Sequence, residues 1–206
     1  SKFFVTSKLW NSHWRHVSEA CESTLKDLQL EYLDLYLIHW PLPFEFNGLD
    51  LSVPNSGFKQ NNDPSVPFKV VLDRGIGIRE VWTEMEKLVD AGLVKSIGVS
   101  NFNVPIIRDL LTYARIKPVV NQVELSPHFS QETLVQFQKH YADIVTVAYS
   151  PFGQGHSQGP LAEPTIKNLA EKYRKSPAQI IIRWNLQRGI VVIPKSVTAE
   201  RIISNA

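Results

Sequence analysis

Cysteine occurs once in this chain, at Cys21, and methionine once, at Met85, among 206 residues. A lone cysteine closes no internal disulfide, so the fold must rest on packing and hydrogen bonds, and a reducing compartment is the simplest setting. Charge of one sign is missing too: 22 Lys and Arg face 20 Asp and Glu, for a net charge of +2. The basic residues form no cluster, which argues against a nucleic-acid partner. No apolar run approaches the roughly 18 residues that a membrane helix needs, and no charged leader precedes an apolar core. The expectation is a cytoplasmic protein with no membrane partner. No Gly-x-Gly-x-x-Gly follows the first strand-like segment, so the classical dinucleotide fold lacks its main signature. His13 and His16 lie three apart with no further ligand near them, so no metal site is expected. Cys21 falls on an apolar helical stripe and reads as a packing residue.

What is present is a hydrophobic fraction of 43%, enough for one well-packed core. The run Tyr32–Trp40 reads as a strand buried on both faces, as parallel strands are, and Pro41 should end it. Similar short apolar runs at Phe3–Leu9, Val94–Ser100, Val119–Val123, Ile144–Ser150 and Ile190–Ile193 alternate with helical patterns. The helices are expected over Trp14–Leu28, Ile78–Ala91, Val104–Ala114, from Ser130 to about His140, over Thr165–Tyr173 and Pro177–Gln187, and from Thr198 onward. Ser130 is the expected N-cap of its helix. Gly92 suits a helix C-terminus, and Ser176-Pro177 opens a helix. Residues 42–74 and 151–163 read as long loops, which in compact folds are usually functional. Strands alternating with helices predict an α/β fold with a parallel sheet, either open and doubly wound or most of a barrel.

In a barrel of this kind the carboxyl ends of the strands gather the chemistry. Here those ends read Ser7-Lys8-Leu9-Trp10, His39-Trp40-Pro41, Ser100-Asn101, Asn121-Gln122, Tyr149-Ser150-Pro151 and Pro194-Lys195-Ser196. Each alone is ordinary: a solvated lysine, a core histidine, a turn. Together they suit one task. Ser100, Asn101 and Gln122 can pair with a carboxamide, which donates and accepts. Tyr149 offers a flat face to a heteroaromatic ring. Lys195, Ser196 and Arg201 surround the start of the last helix, where free N–H groups favour a phosphate. Carboxamide, ring and phosphate describe a nicotinamide dinucleotide, and the paired cations favour NADP over NAD. Lys8 and His39 remain to act on a substrate, with Trp10 and Trp40 as walls of its pocket.

The stretches Val5-Thr-Ser-Lys8-Leu-Trp10, Asp34-Leu-Tyr-Leu-Ile-His39-Trp-Pro41, Ile97-Gly-Val-Ser100-Asn101-Phe-Asn103, Asn121-Gln122-Val-Glu124, Ala148-Tyr149-Ser-Pro-Phe-Gly153 and Ile193-Pro-Lys195-Ser196-Val-Thr-Ala-Glu-Arg201 occur in this order from one end of the chain to the other. By them the chain resembles the aldo-keto reductases, most closely the aldose reductase and xylose reductase group. The resemblance implies a (β/α)₈ TIM barrel of which residues 1–206 carry strands 3 to 8, without the first two βα units and the C-terminal substrate loop. It implies NADPH-dependent reduction of an aldehyde or ketone, aldoses among them, to an alcohol. Lys8 and His39 then match catalytic positions, and Ser100, Asn101 and Gln122 match the carboxamide contacts. Tyr149 matches the stacking ring, and Ser150 and Phe152 the pyrophosphate loop. Lys195, Ser196, Val197, Thr198, Arg201 and Asn205 match the site of the 2′-phosphate and adenine. Ser204 departs from a commonly acidic position. The family's Tyr acid and its Asp have no counterpart in this chain and are expected upstream of it. The alternative function is a truncated, non-catalytic NADP-binding or regulatory barrel. The expected partner is a small carbonyl compound, and the expected state a monomer or weak dimer.

Overall fold

The computed structural model describes residues 3–49, 65, 70–153 and 159–206. It divides into two compact units, Ser1–Val120 and Asn121–Ala206.

In the first unit three strands, β1 (Thr6–Leu9), β2 (Leu33–Ile38) and β3 (Val94–Ser100), alternate with helices α1 (Val17–Leu28), α2 (Ile78–Asp90) and α3 (Val104–Leu110). The strands pair in parallel and in chain order, Lys8 opposite Leu37 and Leu37 opposite Gly98. Side chains alternate across a strand, and partners in register share a face. One face therefore carries Leu9, Tyr36, Ile38, Ile97 and Val99, all fully buried, against helices whose Cys21, Leu25, Val81, Trp82 and Met85 are also buried. The opposite face carries Lys8, Leu37, Gly98 and, continuing past the strands, Trp10, His39 and Ser100. Gly98 is required there: a Cβ would stand 2.7 Å from the carbonyl oxygen of Val120 and 2.8 Å from Leu37 Cδ2.

Three boundaries differ from expectation, the first being that of α1, which begins at Val17 and not at Trp14. Phe3 and Phe4 lie outside β1 and are exposed. Val5 engages β2, its N–H donating to Asp34 Oδ2 at 2.8 Å. Helix α3 stops at Leu110 because the Thr112 N–H turns back onto Asp109 O at 3.0 Å. The following segment is pinned by the buried Glu86, whose Oε1 accepts from the N–H groups of Arg115 and Ile116 at 2.8 and 2.9 Å.

In the second unit β4 (Val120–Glu124), which begins at the boundary, leads to α4 (Glu132–Phe137), β5 (Val145–Tyr149), α5 (Pro164–Tyr173), α6 (Pro177–Gln187), β6 (Val191–Ile193) and α7 (Ala199–Asn205). Strand β5 pairs with β6 in parallel, Tyr149 opposite Ile193. Helix α6 opens on the expected capping pair: Ser176 Oγ accepts from Gln179 N at 3.2 Å and Gln179 Oε1 from Ser176 N at 3.0 Å. Helix α4 corrects the sequence reading. Its N-cap is Gln131, in the left-handed region at φ 52°, and not Ser130. The Ser130 carbonyl instead accepts from Arg188 Nη2 at 2.9 Å. After Phe137 the helix widens into a π turn, Gln138–Ala142. There the buried Gln138 amide bridges two strands, accepting from Asn121 Nδ2 and donating to Thr146 Oγ1, each at 2.5 Å. Wide turns of this kind are typically single insertions into α-helices.

Candidate functional site

In the first unit the shared sheet face brings Lys8, Trp10, His39 and Ser100 to the carboxyl ends of adjacent strands. The His39 N–H donates to Leu9 O at 3.1 Å, which continues the β1–β2 ladder one residue past the strand. Burial, and secondly the positive charge of Lys8, lower the His39 pKa to about 4. His39 is consequently neutral at physiological pH and presents one N–H donor and one acceptor. Burial also lowers the pKa of Lys8. Among the described residues Lys8 has no carboxylate partner.

Aromatic rings lie against His39. The Trp10 ring meets His39 edge-on at 5.1 Å and Phe44 at 6.4 Å, while Trp40, exposed, lies nearly parallel to His39 at 6.5 Å. Asn101 takes the left-handed conformation, φ 63°, which asparagine tolerates. Its Nδ2 donates to His39 O at 2.9 Å and to Ser100 Oγ at 3.1 Å. The residue expected to meet a carboxamide thus also braces the strand end that carries His39.

In the second unit Asn121 and Val123 are turned to the buried side, so alternation along β4 places Gln122 on the other face with Glu124. Gln122 is itself buried. Tyr149, at the end of β5, receives a hydrogen bond from Leu125 N on its carbonyl oxygen at 3.2 Å. Burial raises its phenol pKa, and the charge of Glu124 adds to the shift, so the ring stays neutral. Ser150 follows in the left-handed region, φ 48°, and its carbonyl accepts from Gly153 N at 2.9 Å. This tight turn carries Phe152, half-buried. A Cβ on Gly153 would stand 2.7 Å from Pro160 Cδ, so the turn closes against Pro160. Beyond β6, Lys195, Val197, Thr198 and Arg201 are exposed, and Ser196 and Asn205 are half-buried. Ser196 Oγ accepts from Thr198 N at 3.1 Å, which orders the entry to α7.

The structure thus assembles the expected residues as two groups, one in each unit. Most of the expected 42–74 loop and the middle of the 151–163 loop lie outside the described residues. The sequence reading passed over Asn11 and Phe44. Asn11 is fully buried; its Nδ2 donates to Leu42 O at 2.6 Å, and its carbonyl accepts from Phe44 N at 3.1 Å. It ties the segment after Trp40 to the end of β1 and so fixes the aromatic wall. An asparagine one residue past a strand-end tryptophan was the available signal. His13 and His16, noted for their spacing, have other neighbours: His13 Nε2 lies 3.0 Å from Gly48 O, and the His16 ring lies tilted against Phe46 at 4.0 Å.

Comparison with known proteins agrees over the whole chain. The aldo/keto reductase family model matches residues 1–206. Aldose reductase B of Dictyostelium discoideum is 52% identical over 204 residues, covering 98% of this chain and 63% of that protein. The NADP-dependent D-sorbitol-6-phosphate dehydrogenase of Malus domestica is 40% identical, covering 99% of this chain and 65% of that protein. The structure of the aldose reductase from Schistosoma japonicum superposes with a TM-score of 0.87 at 43% identity, covering 98% of this chain and 62% of that one. The chain thus spans under two thirds of the length of these relatives.

Proposed function

The chain belongs to the aldo/keto reductase family, with the fold of its (β/α)₈ barrel, and from that membership we propose that it serves the NADPH-dependent reduction of small aldehydes or ketones to alcohols. The observation that carries the reading is the pair Lys8 and His39, on one face of adjacent strands, with His39 held neutral by burial and by Lys8.

The donor set suits the cofactor. Ser100, Asn101 and Gln122 supply hydroxyl and amide groups to a carboxamide, and the neutral Tyr149 ring supplies a stacking face. Ser150 and Phe152, on the tight turn at Gly153, take the pyrophosphate. Lys195, Ser196, Val197, Thr198, Arg201 and Asn205 take the adenosine end, where Lys195 and Arg201 meet the 2′-phosphate. The NADPH that these residues would hold supplies a hydride.

The residues of this chain orient and polarise the carbonyl. His39, neutral, donates its N–H to the carbonyl oxygen and fixes which face of the carbonyl carbon is presented. Lys8 places a positive charge where negative charge develops on that oxygen. Trp10, Trp40 and Phe44 exclude water and favour an apolar body on the substrate.

The test uses the full-length protein with NADPH and a panel of aliphatic, aromatic and sugar aldehydes, followed by nicotinamide absorbance. Lys8→Met and His39→Gln should each lower kcat by about 10²–10³-fold while NADPH still binds. Variants as active as the parent would overturn the assignment. NADPH binding with no turnover on any aldehyde would establish the non-catalytic alternative instead.

A further inference from the structure

The carbonyl-reduction reading leaves unused a groove of about 660 Å³ between α5 and α6, none of whose lining residues lies at a strand end. Its size is that of a small-molecule site. Its floor and walls are Leu169, Ile180, Tyr173 and Trp184, and its polar groups include Lys175 and Arg183. No carboxylate lines it. Neither the Lys175 ammonium nor the Arg183 guanidinium pairs with any described residue, so both cations stand beside apolar surface without a counter-charge.

The walls are fixed in advance. The Trp184 ring is covered on one side by the Arg188 guanidinium at 4.4 Å. Arg188 is anchored in turn, Nη2 donating to Ser130 O at 2.9 Å and to Glu132 Oε2 at 2.6 Å. Gln179, at the groove's edge, is held by Ser176 N and donates to Ser204 O at 3.0 Å. A preformed apolar trough loses little freedom on binding, and that economy favours a ligand of matching shape.

We propose that this groove binds an amphipathic monoanion, an aryl or long-chain aliphatic carboxylate or sulfonate. Its apolar body lies between Tyr173 and Trp184, and its anionic head pairs with Arg183 and Lys175. Arginine offers the acid group a planar two-point contact, and lysine a second positive charge. A neutral molecule would leave both cations unused. This inference is independent of the carbonyl-reduction reading and stands or falls apart from it.

The probe is naphthalene-2-sulfonate, titrated into the full-length protein with NADPH present and followed by the Trp184 indole N–H resonance, assigned through Trp184→Phe. Saturable movement of that resonance is expected, with affinity lowered at least fivefold in Arg183→Gln and in Lys175→Gln. The neutral analogue naphthalene-2-methanol should bind at least fivefold more weakly. An unmoved Trp184 resonance, unchanged affinity in both variants, or equal binding of the neutral analogue would each overturn the proposal. So would a Trp184 indole shielded from acrylamide quenching in the unliganded protein, since the occupant would then be a segment of polypeptide.

Discussion

His39 carries a testable sign. Its pKa lies near 4 in the folded chain, chiefly through burial and secondly through Lys8, against an ordinary value of 6.5. The unfolded chain therefore binds this proton first as pH falls. Stability from the neutral imidazole is fully present above pH 6.5 and is lost as pH falls from there through about 4. Urea midpoints of the parent should decline over that window, and His39→Gln should remove this part of the slope; equal slopes in the two proteins would refute the assignment. The same shift bears on activity. Because His39 keeps one N–H through the neutral range, the KM for an aldehyde should stay flat between pH 5.5 and 8, and a break near 6.5 would mean that the imidazole is not shielded. Composition could not foretell this. The His-Trp-Pro corner marked the residue, but its shift depends first on burial and secondly on Lys8, which the β1–β2 register sets opposite Leu37, two residues before His39.

At the scale of elements, much was legible, and the exceptions have a common cause. Strands β2 and β3 and helices α2 and α6 lie within a residue or two of where periodicity puts them, because each follows one uninterrupted pattern with its own start or stop signal, such as Ser176-Pro177 or Gly92. The strand-end residues were legible for the same reason. Helix α4 was not, since its course is set by groups remote in sequence. Gln138 is drawn inward to satisfy Asn121 on β4 and Thr146 on β5, and the backbone widens there into the π turn. Asn11 was missed likewise, its partner being 31 residues away. The Gln138 bridge predicts a specific cost. Gln138→Leu would keep the volume but leave the Asn121 amide and the Thr146 hydroxyl buried without this partner, a loss of about 2–4 kcal/mol. The urea midpoint measures it. A further Thr146→Val substitution should recover part of the loss, because one orphaned group is then removed; no recovery would show that the bridge does not couple the two strands.

For the molecule as a whole, the expected cofactor residues are divided between two compact units, Ser100 and Asn101 in one and Gln122, Tyr149, Lys195 and Arg201 in the other. A dinucleotide that binds the folded protein and not the unfolded chain stabilises it by mass action. At a hundred times its Kd it adds about 2.7 kcal/mol. For a chain of this size, that corresponds to a Tm rise of about 5–11 °C. NADP⁺ should produce such a rise in the full-length protein. NAD⁺ at the same concentration should give markedly less, because it lacks the 2′-phosphate that Lys195 and Arg201 are placed to meet. Both cations are exposed, so their contribution is screened by salt. The difference between the two dinucleotides should therefore shrink as ionic strength rises, and should largely vanish in a Lys195→Met, Arg201→Ala double variant. Calorimetric Tm values across that matrix decide the matter. A salt-independent preference, or one that survives the double variant, would move 2′-phosphate recognition away from the start of α7.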